Sequence, residues 1–116
     1  MVDKKVLTRN LRLIENYPYD GVIYCDSSTL FTDADCLEEM VSALYEEYKD
    51  KGITKVVGSE AKGFIGGSIL ASRLHVGFVM ARKAGILPYD TIGEDYVKNG
   101  TERRLEIHTD TLNEND

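Results

Sequence analysis

Two short stretches of this 116-residue chain carry groups suited to holding an anion. The first, Glu60-Ala61-Lys62-Gly63, lies between a β-prone run and the start of a helix. First-turn N–H groups and the positive end of the helix dipole favour a phosphate there, and Lys62 adds a full charge. The second, Arg82-Lys83, directly follows the next β-prone run. In open parallel sheets, ligands gather beyond the carboxyl ends of the strands, where both stretches fall. Taken singly, Lys62, Arg82 and Lys83 are most simply solvated loop charges. Three cations at adjacent strand ends, in a chain of formal charge −6, favour a phosphate site.

The elements that must position these groups follow from apolar spacing. Val6, Leu7, Leu11 and Ile14 predict a short amphipathic helix over 3–15, ended by Tyr17-Pro18-Tyr19-Asp20-Gly21. Val22-Ile23-Tyr24 is a short β-prone run. Thr32 and Asp33 offer N-caps to a helix over about 34–50, where Leu37, Met40, Val41, Leu44 and Tyr48 share one face. Val56-Val57 predicts a strand buried on both faces, and Gly77 to Ala81 a second one. Between them a helix from Phe64 to about Leu74 carries Gly66 and Gly67, tolerable where a helix lies close to a sheet. The unit 53–81 is thus strand–helix–strand, with a right-handed crossover expected. From Arg82 to Gly100 no period holds, and the stretch reads as a long loop. Arg104 to His108 alternates as a strand, and Asn113 to Asp116 reads as a frayed polar tail.

Bulk properties bound the function. The length suits one domain. A net charge of −6 and a pI near 4.9 argue against general binding to nucleic acid or an anionic membrane. No apolar run approaches the roughly 20 residues of a membrane helix, and the start has no apolar signal core. Cys25 and Cys36 form neither a zinc pattern nor a disulfide framework, and read as reduced thiols. Asn99-Gly100-Thr101 matches a glycosylation acceptor but reads as a turn.

Four segments in order give a family resemblance. Gly52-Ile53-Thr54-Lys55-Val56-Val57-Gly58-Ser59-Glu60-Ala61-Lys62-Gly63-Phe64 resembles the GI-x-KVVG-x-EARGF segment of adenine phosphoribosyltransferases. Val76 to Pro88 resembles their VGFVPVRKPGKLP segment, and Leu105-Glu106-Ile107-His108 their LEIH. Tyr17-Pro18 and Gly21 to Asp26 resemble YPKPGILFRD. Each is weak alone. Together they run in register from about Leu11 to Leu112.

The resemblance implies a partial type I phosphoribosyltransferase fold of the α/β class. Within one incomplete domain, 1–116, it expects a helix and hood segment over 1–32, a core over 33–81 and a flexible loop over 82–104. It also implies the reaction: adenine and phosphoribosyl diphosphate give AMP and diphosphate, with Mg2+ accompanying the donor. By resemblance Ile23 and Tyr24 hold the base, while Lys62, Arg82 and Lys83 meet the diphosphate. Tyr24 is equally readable as a hydrophobic plug of the N-terminal lobe. No catalytic residue and no protein metal ligand is assigned. A cytoplasmic homodimer in purine salvage is expected.

Departures from the pattern bear on the same positions. Cys25 and Lys62 stand where the family has arginine, Ile86 replaces a loop lysine, and Asn99 or Lys98 takes the place of an acidic residue. Lysine keeps the charge of arginine but loses its planar fork. The family's donor-binding loop would follow Asp116, so the 116 residues by themselves are expected to be inactive. Alternatives are a non-catalytic purine-binding or interaction protein, and a transferase of altered base specificity.

Overall fold

The computed structural model describes residues 4–116, in ten elements that fall into two units, one ending at Glu47 and one beginning at Tyr48. In the first unit α1 (Lys4–Asn10) leads into β1 (Arg12–Glu15), which pairs antiparallel with β2 (Ile23–Asp26). α2 (Ser28–Thr32) and α3 (Ala34–Tyr48) follow. The helix expected over 3–15 is therefore cut at Asn10, and its first residue, Asp3, lies outside the described residues. Leu11 lies in the link after α1 and Ile14 in a ribbon instead, because pairing with β2 satisfies more backbone than a lone helical turn would. Tyr17 to Gly21 becomes the link of that ribbon, with Gly21 at φ +85° and its N–H donated to Asn16 Oδ1 at 2.9 Å.

α3 bears out the expected helix; of the expected face Val41 is buried, Leu37, Met40 and Leu44 are half-buried, and Tyr48 is exposed. Asp33 Oδ1 accepts the Cys36 N–H at 2.8 Å and caps the helix. Val41 and Cys36 are buried, and the Cys36 thiol donates to Val6 O at 3.3 Å.

In the second unit β3 (Lys55–Ser59), α4 (Lys62–Leu74) and β4 (Gly77–Lys83) form the expected strand–helix–strand, with β3 and β4 parallel from Lys55↔Gly77 to Ser59↔Ala81. Close packing explains two glycines. A Cβ on Gly67 would meet the Phe78 ring at 2.7 Å, and one on Gly58 would meet it at 2.7 Å and Gly63 O at 2.5 Å. The sheet is mixed, in the order β3-β4-β6-β5. β3 is an outer strand, which corrects its reading as buried on both faces: Val57 is 50% exposed while its partner Val79 is 3% exposed. Met80 in β4 is likewise exposed. An apolar run does not reveal whether a strand has neighbours on both sides.

The stretch read as a loop over 82–104 is largely a hairpin. β5 (Thr91–Lys98) and β6 (Thr101–His108) pair antiparallel in eight register pairs, from Thr91↔His108 to Lys98↔Thr101. Asn99 (φ +53°) and Gly100 (φ +74°) make the turn between them. Two residues with positive φ match the twist of the flanking strands, so this dipeptide closes a hairpin. No hydrophobic period announced it, because most β5 side chains are exposed. β6 joins β4 through Arg82↔Glu106 and Lys83↔Leu105. The tail is not simply frayed: Asn113 N–H donates to Asp116 Oδ2 at 2.9 Å, and Asp116 N–H to Asn113 O at 3.1 Å.

Candidate functional site

The residues expected to face a base lie in the first unit, on the β1–β2 ribbon. Ile23 opens β2 opposite Glu15 and is 66% exposed. Tyr24, opposite Ile14, is half-buried. Its ring meets Tyr17 in an edge contact, with centroids 5.2 Å apart and planes at 69°. Such a pair holds a ring in one orientation. Adjacent strand residues point to opposite faces, so Ile23 and Tyr24 cannot both present side chains to one flat ligand from the same face. Cys25 is exposed as a free thiol.

The residues expected to face a phosphate lie in the second unit, at the carboxyl ends of β3 and β4. Lys62 is the exposed first residue of α4. Ala61 precedes it with no side-chain cap, after a cis Glu60–Ala61 peptide. Glu60, read from sequence only as part of a turn, ties this loop to β4. Its N–H donates to Ala81 O at 3.0 Å, and its Oε1 accepts the Lys83 N–H at 2.6 Å. The same oxygen lies 3.5 Å from Arg82 Nε, as an ion pair without a hydrogen bond. Arg82 is half-buried, with its guanidinium carbon 6.0 Å from the centre of the Phe64 ring. Of the two cations on β4, Arg82 is thus drawn into the protein wall, and Lys83 is left exposed.

Lys83 lines a hollow of about 410 Å3 with Ser59 and Glu60 on one side and Tyr96, Lys98, Arg103 and Leu105 of the hairpin on the other. Neither Lys62 nor Arg82 reaches its lining. Sequence reasoning missed Tyr96 and Arg103 here, and saw Lys98 only as a departure from a family pattern. The signal that could have found them is Asn99-Gly100: pairing outward from that turn sets Lys98 opposite Thr101 and Tyr96 opposite Arg103. That turn also gives Asn99 a backbone reason, since asparagine tolerates positive φ.

The opposite face of the hairpin is a closed charge network. Arg104 donates from Nη1 to Asp95 Oδ1 at 3.0 Å and from Nε to Glu106 Oε2 at 3.2 Å. Glu106 Oε1 accepts the Gly85 N–H at 3.0 Å. The Gly85 N–H and the Arg104 side chain hold the Glu106 carboxyl below its usual range, and the hydrogen bonds to Asp95 and Glu106 raise Arg104. Lys83, Ala84 and Gly85 N–H are therefore met in turn by Glu60, Arg104 O and Glu106.

No family model matches the chain. It is 50% identical over 115 residues to an adenine phosphoribosyltransferase of Phocaeicola vulgatus, covering 99% of this chain and 66% of the relative. A second, of Bacteroides fragilis, is 47% identical over 116 residues, covering 100% and 65%. The chain thus spans just under two thirds of the length of these curated relatives. Among solved structures, an adenine phosphoribosyltransferase of Rhodothermus marinus superposes with a TM-score of 0.84 at 35% identity, over 93% of this chain and 61% of that one. The enzyme of Saccharomyces cerevisiae, complexed with an imino-altritol bisphosphate and adenine, gives 0.84 at 30% identity, over 93% and 64%.

Proposed function

The chain belongs to the adenine phosphoribosyltransferase family, and on that premise we propose that it supplies the base-facing and diphosphate-facing parts of an enzyme that makes AMP and diphosphate from adenine and phosphoribosyl diphosphate. The observation that carries the reading is the likeness across 99% of the chain at 50% identity. In the reaction, N9 of adenine forms a bond to C1′ of the ribose. The C1′–O bond breaks, its electron pair leaves on the diphosphate, and the N9 proton is lost. Tyr24 offers an aromatic surface to the purine, with Ile23 contributing backbone beside it. Lys83 offers its charge to the departing diphosphate, with Lys62 and Arg82 at the same strand ends. Cations placed where charge develops act on the barrier itself.

Mg2+ belongs to this reading as an ion carried by the donor's phosphates. Among the described residues, no three His, Cys, Asp or Glu side chains gather to hold a metal. Magnesium commonly binds through substrate phosphates and water, and no step is routed through it. A cytoplasmic homodimer completes the reading. Among the described residues, no helix is long and apolar enough to cross a membrane.

The test is AMP formation from adenine and phosphoribosyl diphosphate by the gene product, with hypoxanthine and guanine as competing bases. Loss of adenine binding in a Tyr24→Ala variant, measured by calorimetry, is the expected companion result. Consumption of another base in preference to adenine would overturn the assignment of substrate. Light scattering that finds a monomer at assay concentration would remove the homodimer.

A further inference from the structure

A carboxylate stands at the mouth of a site whose ligand is an anion. Glu60 is the one carboxylate in a lining that also holds Lys83, Lys98 and Arg103. Its side chain is only 14% exposed, so it is built into the wall and does not trail in solvent. Its Oε1 meets two groups at once, the Lys83 N–H at 2.6 Å and Arg82 Nε at 3.5 Å. The first contact is a hydrogen bond that any acceptor oxygen could make. The second depends on charge, because Arg82 Nε is buried and has no hydrogen-bond partner among the described residues. Arg82 and Lys83 are neighbours in one strand and point to opposite sides, and Arg82 does not reach the lining of the hollow.

A carboxylate beside a phosphate raises its energy, and a cation lowers it. Bracing the turn between β3 and α4 does not require that charge. The Glu60 N–H already reaches Ala81 O at 3.0 Å, and a neutral oxygen would serve the Lys83 N–H as well. What only the charge supplies is a counter-ion for Arg82. Its effect is to thin the group of cations that an incoming anion meets. A ligand held by fewer charges leaves sooner, and product release limits many enzymes.

We infer that Glu60 is a positioning residue, an internal counter-ion that keeps Arg82 with the protein, leaves Lys83 to meet the ligand, and thereby sets how readily diphosphate departs. The inference rests on the transferase reading for the identity of that ligand. Glu60 itself touches no substrate in this account. It acts through the two residues that follow Ala81.

The test removes the charge and keeps the oxygen. Inorganic diphosphate, titrated into the Glu60→Gln gene product by calorimetry, is expected to bind about tenfold more tightly, the size of one charged contact. Inhibition of AMP formation by diphosphate tightens by the same factor, while KM for adenine stays within about twofold. Glu60→Gln combined with Arg82→Gln removes both charges and returns the affinity to within about threefold of the unaltered protein. A brace alone predicts the opposite sign, weaker binding in Glu60→Gln with no recovery in the pair, and that result overturns the inference. So does unchanged binding. The unaltered protein, isotopically labelled, gives a check that no folding defect can obscure. At saturating diphosphate the Arg82 Nε–H resonance holds its position while the Lys83 side-chain resonances move. An Arg82 resonance that moves as far shows Arg82 to be a ligand and sinks the counter-ion, leaving the diphosphate reading intact. No diphosphate binding by the unaltered protein also overturns it. Tighter binding in Glu60→Gln without AMP formation by the gene product would uphold the counter-ion and end the transferase reading.

Discussion

The two faces of the β5–β6 hairpin carry similar residue types and put them to opposite uses. On one, Arg104 lies between Asp95 and Glu106, at 3.0 and 3.2 Å, and Glu106 also takes the Gly85 N–H. On the other, Lys98 and Arg103 meet Lys83 across open space. Neighbouring residues in one strand, Arg103 and Arg104, therefore differ in kind. A cation with protein partners positions the chain, and a cation without them is available to a ligand. Counting charges along the sequence cannot separate these cases, because strand alternation sends adjacent residues to opposite sides.

The most disruptive way to break this division is to spoil the register that both faces share. A Cβ at Gly93 would lie 2.5 Å from Leu105 O and 2.8 Å from Glu106 Cγ. Gly93→Val is expected to cost about 1–3 kcal/mol, as overpacking does, and to unprotect hairpin amides in hydrogen exchange. An unchanged urea midpoint would show that the strands do not approach so closely.

A double dissociation sharpens the comparison next. Lys83→Gln should weaken diphosphate binding about tenfold while moving stability by no more than about 0.5 kcal/mol, the usual range for exposed positions. Arg104→Gln should do the reverse, lowering the melting temperature and leaving diphosphate affinity within about twofold. Equal effects of the two changes on binding would erase the distinction.

Acid should act on the paired face. The Glu106 carboxyl is held below its ordinary value of 4.5 by the Gly85 N–H and Arg104. Its folded form therefore binds protons less readily than its unfolded form. The stabilisation is complete above that ordinary value and is lost as pH falls through the lower folded one. Protection of the Gly85 amide should hold down to about pH 4.5 and decline below it, and Glu106→Gln should flatten the profile.

The mildest expected effect comes from salt. Between about 0.1 and 1 M the screening length falls from about 10 to about 3 Å. Diphosphate affinity should drop over that range, while the melting temperature, supported by contact-range pairs, moves little.

The parts of the fold legible in the sequence are those with a wet and a dry side. α3 announced itself through Leu37, Met40, Val41 and Leu44, and Asp33 proved to be its cap. β3, α4 and β4 were visible through apolar runs set off by glycines whose close packing the structure explains. β5 stayed hidden because exposed strands carry no apolar period, although Asn99-Gly100 marked its turn. β1 stayed hidden because a four-residue strand is too short to distinguish a period of two from one of 3.6. In the candidate site, Lys83 was legible from its place after a strand. Arg82 looked equivalent because spacing cannot show that Glu60 and Phe64 would claim it.

The two outer strands of the mixed sheet differ in how they meet neighbours in a crowded solution. β5 presents Glu94, Asp95 and Lys98 along its length, and charge of this kind discourages another chain from adding to a ladder. β3 carries Val56, half-exposed Val57, buried Gly58 and exposed Ser59, with Lys55 as its only charge. In these 116 residues by themselves, an outer strand so lightly guarded is a template for any extended apolar segment that drifts past. Turbidity in a concentrated stock of the 116-residue chain should therefore start at β3, and a single Val57→Lys change should delay its onset without touching either face of the hairpin.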